Sequence, residues 1–332
     1  MLAQWLHVRS PQNLKVQLLH VRPVEPPEEE AWEEDCLTEV SEEPKQQLTP
    51  LECLGCQTPA YSHLFYLPGC QPDIKLSVIA DTQNQSYVQK EAAFLATEYT
   101  LMKAAAHPHV VKTFGFISDR DQHVIIMEHC VNGDLLDRLR LVGGLSQPVA
   151  RRIMKQLVAA MQHCHRLGIA HLDIKPENVF FDDDFSVRLG DFGHSRRVSG
   201  MLLRNYTLGT PEYMAPEILA RKPYDGLKAD VFSAGVVLFM LVTAHHPFGK
   251  AAQTDPHFTL LQQAPTRFWE VHEAKLESHR VASLPEDFRE LVCGMTVADP
   301  QARLGWREVA SHVWMRGETA SMETVRRELN DF

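Results

Sequence analysis

The sequence lacks three things that would each have named a class. It has no cysteine framework: Cys36, Cys53, Cys56, Cys70, Cys130, Cys164 and Cys293 are odd in number and irregular in spacing. A reducing compartment is therefore expected, cytoplasmic or nuclear. Cys53-Leu54-Gly55-Cys56 is a lone C-x-x-C with no second pair, so these read as ordinary thiols rather than a zinc site. It also has no uninterrupted run of 18 apolar residues, so no membrane span is expected. The N-terminus lacks the charged-then-apolar pattern of a leader peptide. Third, there is no basic excess. The formal net charge is −10, yet residues 25–43 hold ten of the 43 acids and no Lys or Arg, leaving 33 acids against 33 Lys+Arg elsewhere. The remainder is near neutral, and no nucleic-acid partner is expected. The 17 histidines form no metal-ligand pattern.

The chain is long enough for one large domain or a two-lobed one. Residues 1–22 mix apolar and basic side chains, leaving open a short strand or a segment laid against the domain. Residues 23–47 are acidic and contain Pro23, Pro26, Pro27 and Pro44. Such a stretch repels itself and buries little, so a solvated linker is expected; a docking or autoinhibitory segment is the alternative. From Leu48 the pattern changes. Residues 74–79 read as a strand, 89–106 as a helix, and 110–117 and 123–127 as strands. A short helix over 133–142 follows. Ala150, Ile153, Met154, Leu157, Val158 and Met161 then form a helical stripe closed by Gly168. Residues 179–181 and 187–189 read as short strands around an Asp182-Asp183-Asp184 turn. Residues 229–242 are nearly all apolar and predict a helix buried on every side, with further helices over 284–296 and 306–313. After Trp314 a short polar tail is expected.

The chemistry concentrates in residues 171–217. The stretch opens with His171-Leu172-Asp173-Ile174-Lys175-Pro176-Glu177-Asn178, passes Asp191-Phe192-Gly193, and closes with Gly209-Thr210-Pro211-Glu212-Tyr213-Met214-Ala215-Pro216-Glu217. A carboxylate can accept a hydroxyl proton, and a lysine two residues on can offset charge on a moving phosphoryl group. An amide and a second carboxylate can hold Mg²⁺. In order and spacing these blocks resemble the catalytic and activation loops of the eukaryotic protein kinases. The resemblance covers roughly residues 48–313 and implies an α+β, bilobal fold. Its parts would be an N-terminal segment (1–47), a small β-rich lobe (48–132), a larger helical lobe (133–316) and a tail (317–332).

The resemblance also implies roles. Asp173 matches the catalytic base, Lys175 the residue facing the γ-phosphate, and Asn178 and Asp191 the Mg²⁺ ligands. ATP and Mg²⁺ are thus the expected cofactors, and protein Ser/Thr hydroxyls the expected acceptors; the lysine in Asp-Ile-Lys-Pro-Glu-Asn resembles the Ser/Thr branch. Lys75, Glu98, Glu128, Cys130, Asp134, Phe180 and Asp191 form the implied nucleotide-binding set. Within it Glu98 pairs with the strand lysine, Met127 is the gatekeeper, the backbone of Glu128 and Cys130 faces adenine, and Asp134 meets the ribose. Thr210 matches the wall that receives the peptide, Glu217 the acid paired with a buried arginine at Arg303, and Asp230 the acid that holds the catalytic loop. His171 is expected as a packed core residue. The stretches Ser311-His312-Val313-Trp314 and Phe268-Trp269-Glu270-Val271-His272 resemble calcium/calmodulin-dependent-type kinases, protist ones in particular.

Three features depart from that family. The glycine-rich phosphate loop is degraded, with Gln57 and Pro59 where glycines would let backbone approach phosphate. The strand lysine is ambiguous: Lys75 is favoured, but Ser77 fits the lysine site as well, the two residues sharing one strand face. Leu172 replaces the arginine that pairs with a phosphorylated activation loop, which argues against switching by loop phosphorylation; Thr207 and Tyr206 stay open as sites, with Arg196 or Arg197 as substitute partners. The expected function is an ATP-dependent Ser/Thr protein kinase; the alternative is a scaffold of kinase shape with little or no turnover.

Overall fold

The computed structural model describes residues 62–64, 74–79, 85–118, 123–198, 200, 202–203, 209–277 and 284–330. The acidic stretch, the C-x-x-C, the glycine-poor phosphate loop and Tyr206 and Thr207 lie outside them. The chain divides into two compact units, one of residues 1–103 and 112–129, the other of 104–111 and 130–332.

The first unit is a four-stranded antiparallel sheet with one helix. Strands β1 (Ser62–Leu64), β2 (Ile74–Ile79), β3 (Thr113–Ser118) and β4 (His123–Glu128) pair in the order β1-β2-β4-β3. Lys75 sits opposite Leu64 on one side and Met127 on the other. The β3 strand begins later than its apolar pattern suggested. A bulge between Thr113 and Gly115 breaks the register, and Val110 instead makes an isolated parallel bridge to Leu189 within the second unit. Helix α1 runs Gln85–Ala104, starting four residues before the expected point. Leu95, Leu101 and Met102 are buried, and Tyr99 stacks on Phe116 at 5.6 Å between ring centroids, seating the helix on the sheet.

The second unit is mainly helical. Helix α2 (Leu135–Val142) is capped by Asp134, whose carboxylate accepts from Asp137 N–H at 2.9 Å. Helix α3 (Gln147–Arg166) buries its apolar stripe and ends with Gly168 at φ +67°, where a side chain would be strained. A short pair, β5 (Ile169–Ala170) with β8 (Arg196–Arg197), and a hairpin, β6 (Val179–Phe181) with β7 (Val187–Leu189), flank a 3₁₀ turn at Pro176–Asn178. Helix α4 (Pro216–Leu219) leads to α5 (Gly226–Thr243), the centre of the core. By length and composition α5 could cross a membrane, with mean hydropathy of 1.6 over its 18 residues, although Lys228 and Asp230 interrupt its apolar run. Its window is 89% buried within the protein, so that apolarity belongs to the core.

Helices α6 (Pro256–Gln263), α7 (Pro265–Glu277) and α8 (Glu286–Met295) surround it. The expected helix over 306–313 is two, α9 (Trp306–Ser311) and α10 (Val313–Arg316), because His312 between them is extended at ψ 148°. The expected polar tail is also corrected. Met322–Asn330 forms α11, with Val325 and Leu329 one turn apart and buried.

Candidate active site

The candidate site is assembled on the loop between β5 and the 3₁₀ turn, and α5 holds that loop from below. Asp230 is fully buried. Its two carboxylate oxygens accept from His171 N–H at 2.8 Å, from Leu172 N–H at 2.7 Å and from the His165 ring at 2.8 Å. Leu172 is thereby held at φ +66°, a left-handed conformation that costs a non-glycine residue roughly 1–2 kcal/mol. The loop tolerates that cost because both adjoining amides are fixed by a carboxylate. His171 is buried, as expected, with its ring edge on Phe192 at 4.8 Å. Its Nε2 meets the Gly190 carbonyl at 3.0 Å and so donates; Nδ1 is left to accept Asp173 N–H at 3.3 Å. Ser195, which sequence reasoning did not single out, donates to His171 O at 3.2 Å from a fully buried position. Nothing in its local sequence signals that role.

Four of the sequence-predicted residues meet in one hydrogen-bonded knot. Asp173 Oδ2 faces Lys175 Nζ at 2.9 Å and the Asn178 amide nitrogen at 3.1 Å. Asp173 Oδ1 accepts from Thr210 N–H at 3.0 Å and from Thr210 Oγ1 at 3.1 Å, while Lys175 Nζ also donates to Thr210 Oγ1 at 2.9 Å. Thr210, expected as part of a peptide-receiving wall, is thus a direct partner of the acid and the lysine. This closeness requires Gly209. Its φ is +119°, and a Cβ there would lie 2.9 Å from Leu172 O and 3.4 Å from Asp173 Oδ1.

Burial opposes charge on Asp173, but the Lys175 ammonium and its hydrogen bond outweigh it and hold the carboxyl below its ordinary 3.8. Burial likewise opposes charge on Lys175, and Asp173 reverses that effect, raising the ammonium. Both groups are therefore ionised at neutral pH. A depressed carboxyl stabilises the fold above its unfolded pKa, and that contribution is lost as pH falls below 3.8.

Asn178 gives its amide nitrogen to Asp173, to the main-chain oxygen at 2.8 Å as well as to the carboxylate. Its oxygen is then the atom with donor capacity for a cation. Its own main-chain oxygen accepts from Gly190 N–H at 3.0 Å, tying the site to the residue before Asp191. Asp191 is exposed at φ +57°, with Oδ1 accepting from Gly193 N–H at 3.3 Å. An amide oxygen and a carboxylate are the hard donors Mg²⁺ prefers, so these residues fit that ion.

Of the implied nucleotide-binding residues, Asp134 and Phe180 come together through a backbone bridge in the second unit. Burial is the main reason the Asp134 carboxyl titrates above its usual range. Cys130 is buried in the same unit, with its carbonyl accepting from Gly133 N–H at 3.1 Å. Lys75, Glu98 and Glu128 belong to the first unit: Lys75 on β2, Glu98 on α1, and Glu128 closing β4 with its N–H on Lys112 O at 2.9 Å. The Glu217–Arg303 pair is present and bidentate, at 2.8 and 2.9 Å.

A buried acid–lysine–threonine knot beside an amide and a second acid is an arrangement that suits phosphoryl transfer. Residues 74–315 match the protein kinase domain, and the chain belongs to that family. It is 33% identical over 224 residues to CBL-interacting protein kinase 11 of Oryza sativa subsp. japonica, covering 66% of this chain and 42% of that one. It is 36% identical over 222 residues to CBL-interacting protein kinase 4 of the same subspecies, covering 65% and 46%. Serine/threonine protein kinase OSK3 of Oryza sativa subsp. indica is 31% identical over 221 residues, covering 66% and 41%. The chain spans less than half the length of these relatives.

Proposed function

We propose that this protein is an ATP-dependent serine/threonine protein kinase. The observation that carries the reading is the Asp173–Lys175–Thr210–Asn178 knot. It presents an ionised carboxylate beside a paired ammonium, where a substrate hydroxyl needs one and the transferring phosphoryl group needs the other. Asp173 orients the hydroxyl and takes its proton. Lys175 offsets negative charge as the γ-phosphoryl group moves, and Thr210 fixes the distance between the two. Asn178 and Asp191 would hold Mg²⁺, which when bound neutralises charge on the nucleotide phosphates. Lys75, with Glu98 as the partner the resemblance implies, is assigned to the α/β-phosphates, and the Glu128 and Cys130 backbone with Asp134 and Phe180 to the nucleoside.

The Ser/Thr preference rests on Lys175 and on similarity to relatives so named. The near-neutral balance outside residues 25–43 favours protein rather than nucleic-acid substrates. We assign the protein to the cytoplasm or nucleus. Burial pushes the Cys164 thiol up to about 12, away from disulfide chemistry. The scaffold alternative, motivated by the phosphate loop, has no observation in its favour among the described residues.

The test is transfer from γ-labelled ATP, with Mg²⁺, to a degenerate peptide library carrying Ser, Thr or Tyr acceptors. Label on Ser or Thr is expected. ATP binding without transfer to any acceptor would replace this reading with the scaffold.

A further inference from the structure

Helix α11 is tied to the segment that carries Cys130 and Asp134, and one side chain makes the tie. Arg138, on α2, donates through Nε to Asn132 O at 2.9 Å. Through Nη1 the same guanidinium reaches the end of α11, at Leu329 O (3.3 Å) and Asn330 Oδ1 (3.1 Å). Its plane lies over the Phe185 ring, 5.3 Å from the centroid. Asn132 is in turn pinned to the β6–β7 hairpin: its N–H meets Phe181 O at 3.2 Å and its amide nitrogen Asp182 O at 2.6 Å. Residues 130–134 are therefore held between the hairpin that carries Phe180 and the C-terminal end of α11.

The helix is seated by more than this contact. Glu328 accepts from the N–H and hydroxyl of Ser146, the latter at 2.7 Å, at the start of α3. Arg326 pairs with Asp184 in the β6–β7 turn. Val325 and Leu329 are buried, and Ala320 just before the helix is fixed through its carbonyl by Arg152 at 2.8 Å. Both ends of the helix are thus anchored on α2, α3 and the hairpin. Among these anchors only Arg138 also touches the main chain between Cys130 and Asp134.

We propose that Arg138 is a positioning residue for nucleotide binding and that α11 sets its position. This inference rests on the kinase reading, which makes Cys130 and Asp134 nucleotide contacts. A guanidinium anchored on both sides holds Asn132 O more firmly than one resting on Phe185 and Asn132 alone. Without α11 the Arg138 fork loses its outer partners and gains freedom, residues 130–134 are held less firmly, and the bound nucleotide loses part of its prearranged contact set. The effect falls on ATP affinity and spares the transfer step, because Asp173, Lys175 and Thr210 are held by Asp230 and by one another.

The experiment measures ATP dissociation by equilibrium titration, and ATP KM, peptide KM and kcat by assay, in four proteins. These are the full chain, Arg138→Ala, a chain ending at Ser321, and the two changes combined. Arg138→Ala should weaken ATP binding about 3- to 10-fold with kcat within about twofold and peptide KM unchanged, the signature of lost ground-state binding. The truncation should do the same, and the combination should be no worse than either, since contacts in one network do not add. Arg138→Lys should recover only part of the loss, because an ammonium cannot reach both sides as a fork does. The inference is overturned if the truncation leaves ATP affinity unchanged, if the two effects add in full, or if kcat falls as much as affinity. Absence of ATP binding in the full chain overturns the kinase reading, and this inference with it.

Discussion

Two buried ion pairs in the second unit make an instructive contrast. Arg303 is 1% exposed, and every arm of its guanidinium is engaged. It meets Glu217 twice, the main-chain oxygens of Val297 (3.0 Å), Lys228 (2.8 Å) and Ala298 (3.4 Å), and the face of Phe232 at 5.0 Å. Asp173 and Lys175 are also paired, but the Lys175 side chain remains 19% exposed, and it donates as well to the Thr210 hydroxyl. The first pair is saturated and can only hold structure. The second is fixed on its inner side and open on its outer side, which a site that must take up a substrate requires. What separates the two pairs is how many neighbouring carbonyls surround the cation.

The contrast can be broken first at the open pair. Asp173→Asn should lower kcat by about 10²–10⁴-fold while ATP affinity stays near that of the parent. Tm should fall only modestly, because the amide oxygen can keep the Thr210 hydrogen bonds although its NH₂ cannot accept from Lys175 Nζ and the Asn178 amide nitrogen. A parallel collapse of Tm would mean that this pair, too, is structural. At the closed pair the effect should fall on stability. Arg303→Met leaves the Glu217 charge buried and should cost about 3–5 kcal/mol in denaturant unfolding. Adding Glu217→Leu to it should recover much of that loss, because a buried pair replaced by apolar volume is often near neutral.

The smallest effect concerns a buried group outside both pairs. His272 is 1% exposed, and burial first, then the neighbouring charges of His245, Lys275 and His257, depress its pKa to about 3. Below 6.5 the unfolded chain binds a proton that the folded chain refuses, so stability is lost as pH falls from 6.5 towards 3. His272→Gln should flatten unfolding free energy against pH in that window by at most ~1.4 kcal/mol per pH unit. An unchanged slope would show that His272 does not contribute to it.

Legibility from sequence followed the range over which each interaction acts. The residues proposed for phosphoryl transfer lie in short blocks whose spacing is set by one loop and one turn, so the closeness of Asp173, Lys175 and Asn178 could be expected from the sequence. Helices α3 and α5 announced themselves by long apolar patterns. Partnerships across the chain were legible only through family resemblance, as for Glu217 with Arg303 and Asp230 with residues 171–172. Where resemblance was silent they were missed, as with Ser195 on His171 and His165 on Asp230. Val110 carried a strand-like pattern, yet its bridge partner is Leu189, which no local window contains. Helix α11 was missed because it buries just Val325 and Leu329 and is fixed otherwise by polar side chains whose partners lie far back in the chain.

Asp230 has one more consequence. A loop is ordinarily where a protein opens most cheaply, through local fluctuations that leave the core intact. Here the amides of His171 and Leu172 end on a carboxylate that belongs to the most deeply buried helix, so they cannot be released without dislodging that helix's contacts. Opening of this loop is thus coupled to the core helix rather than to the surface.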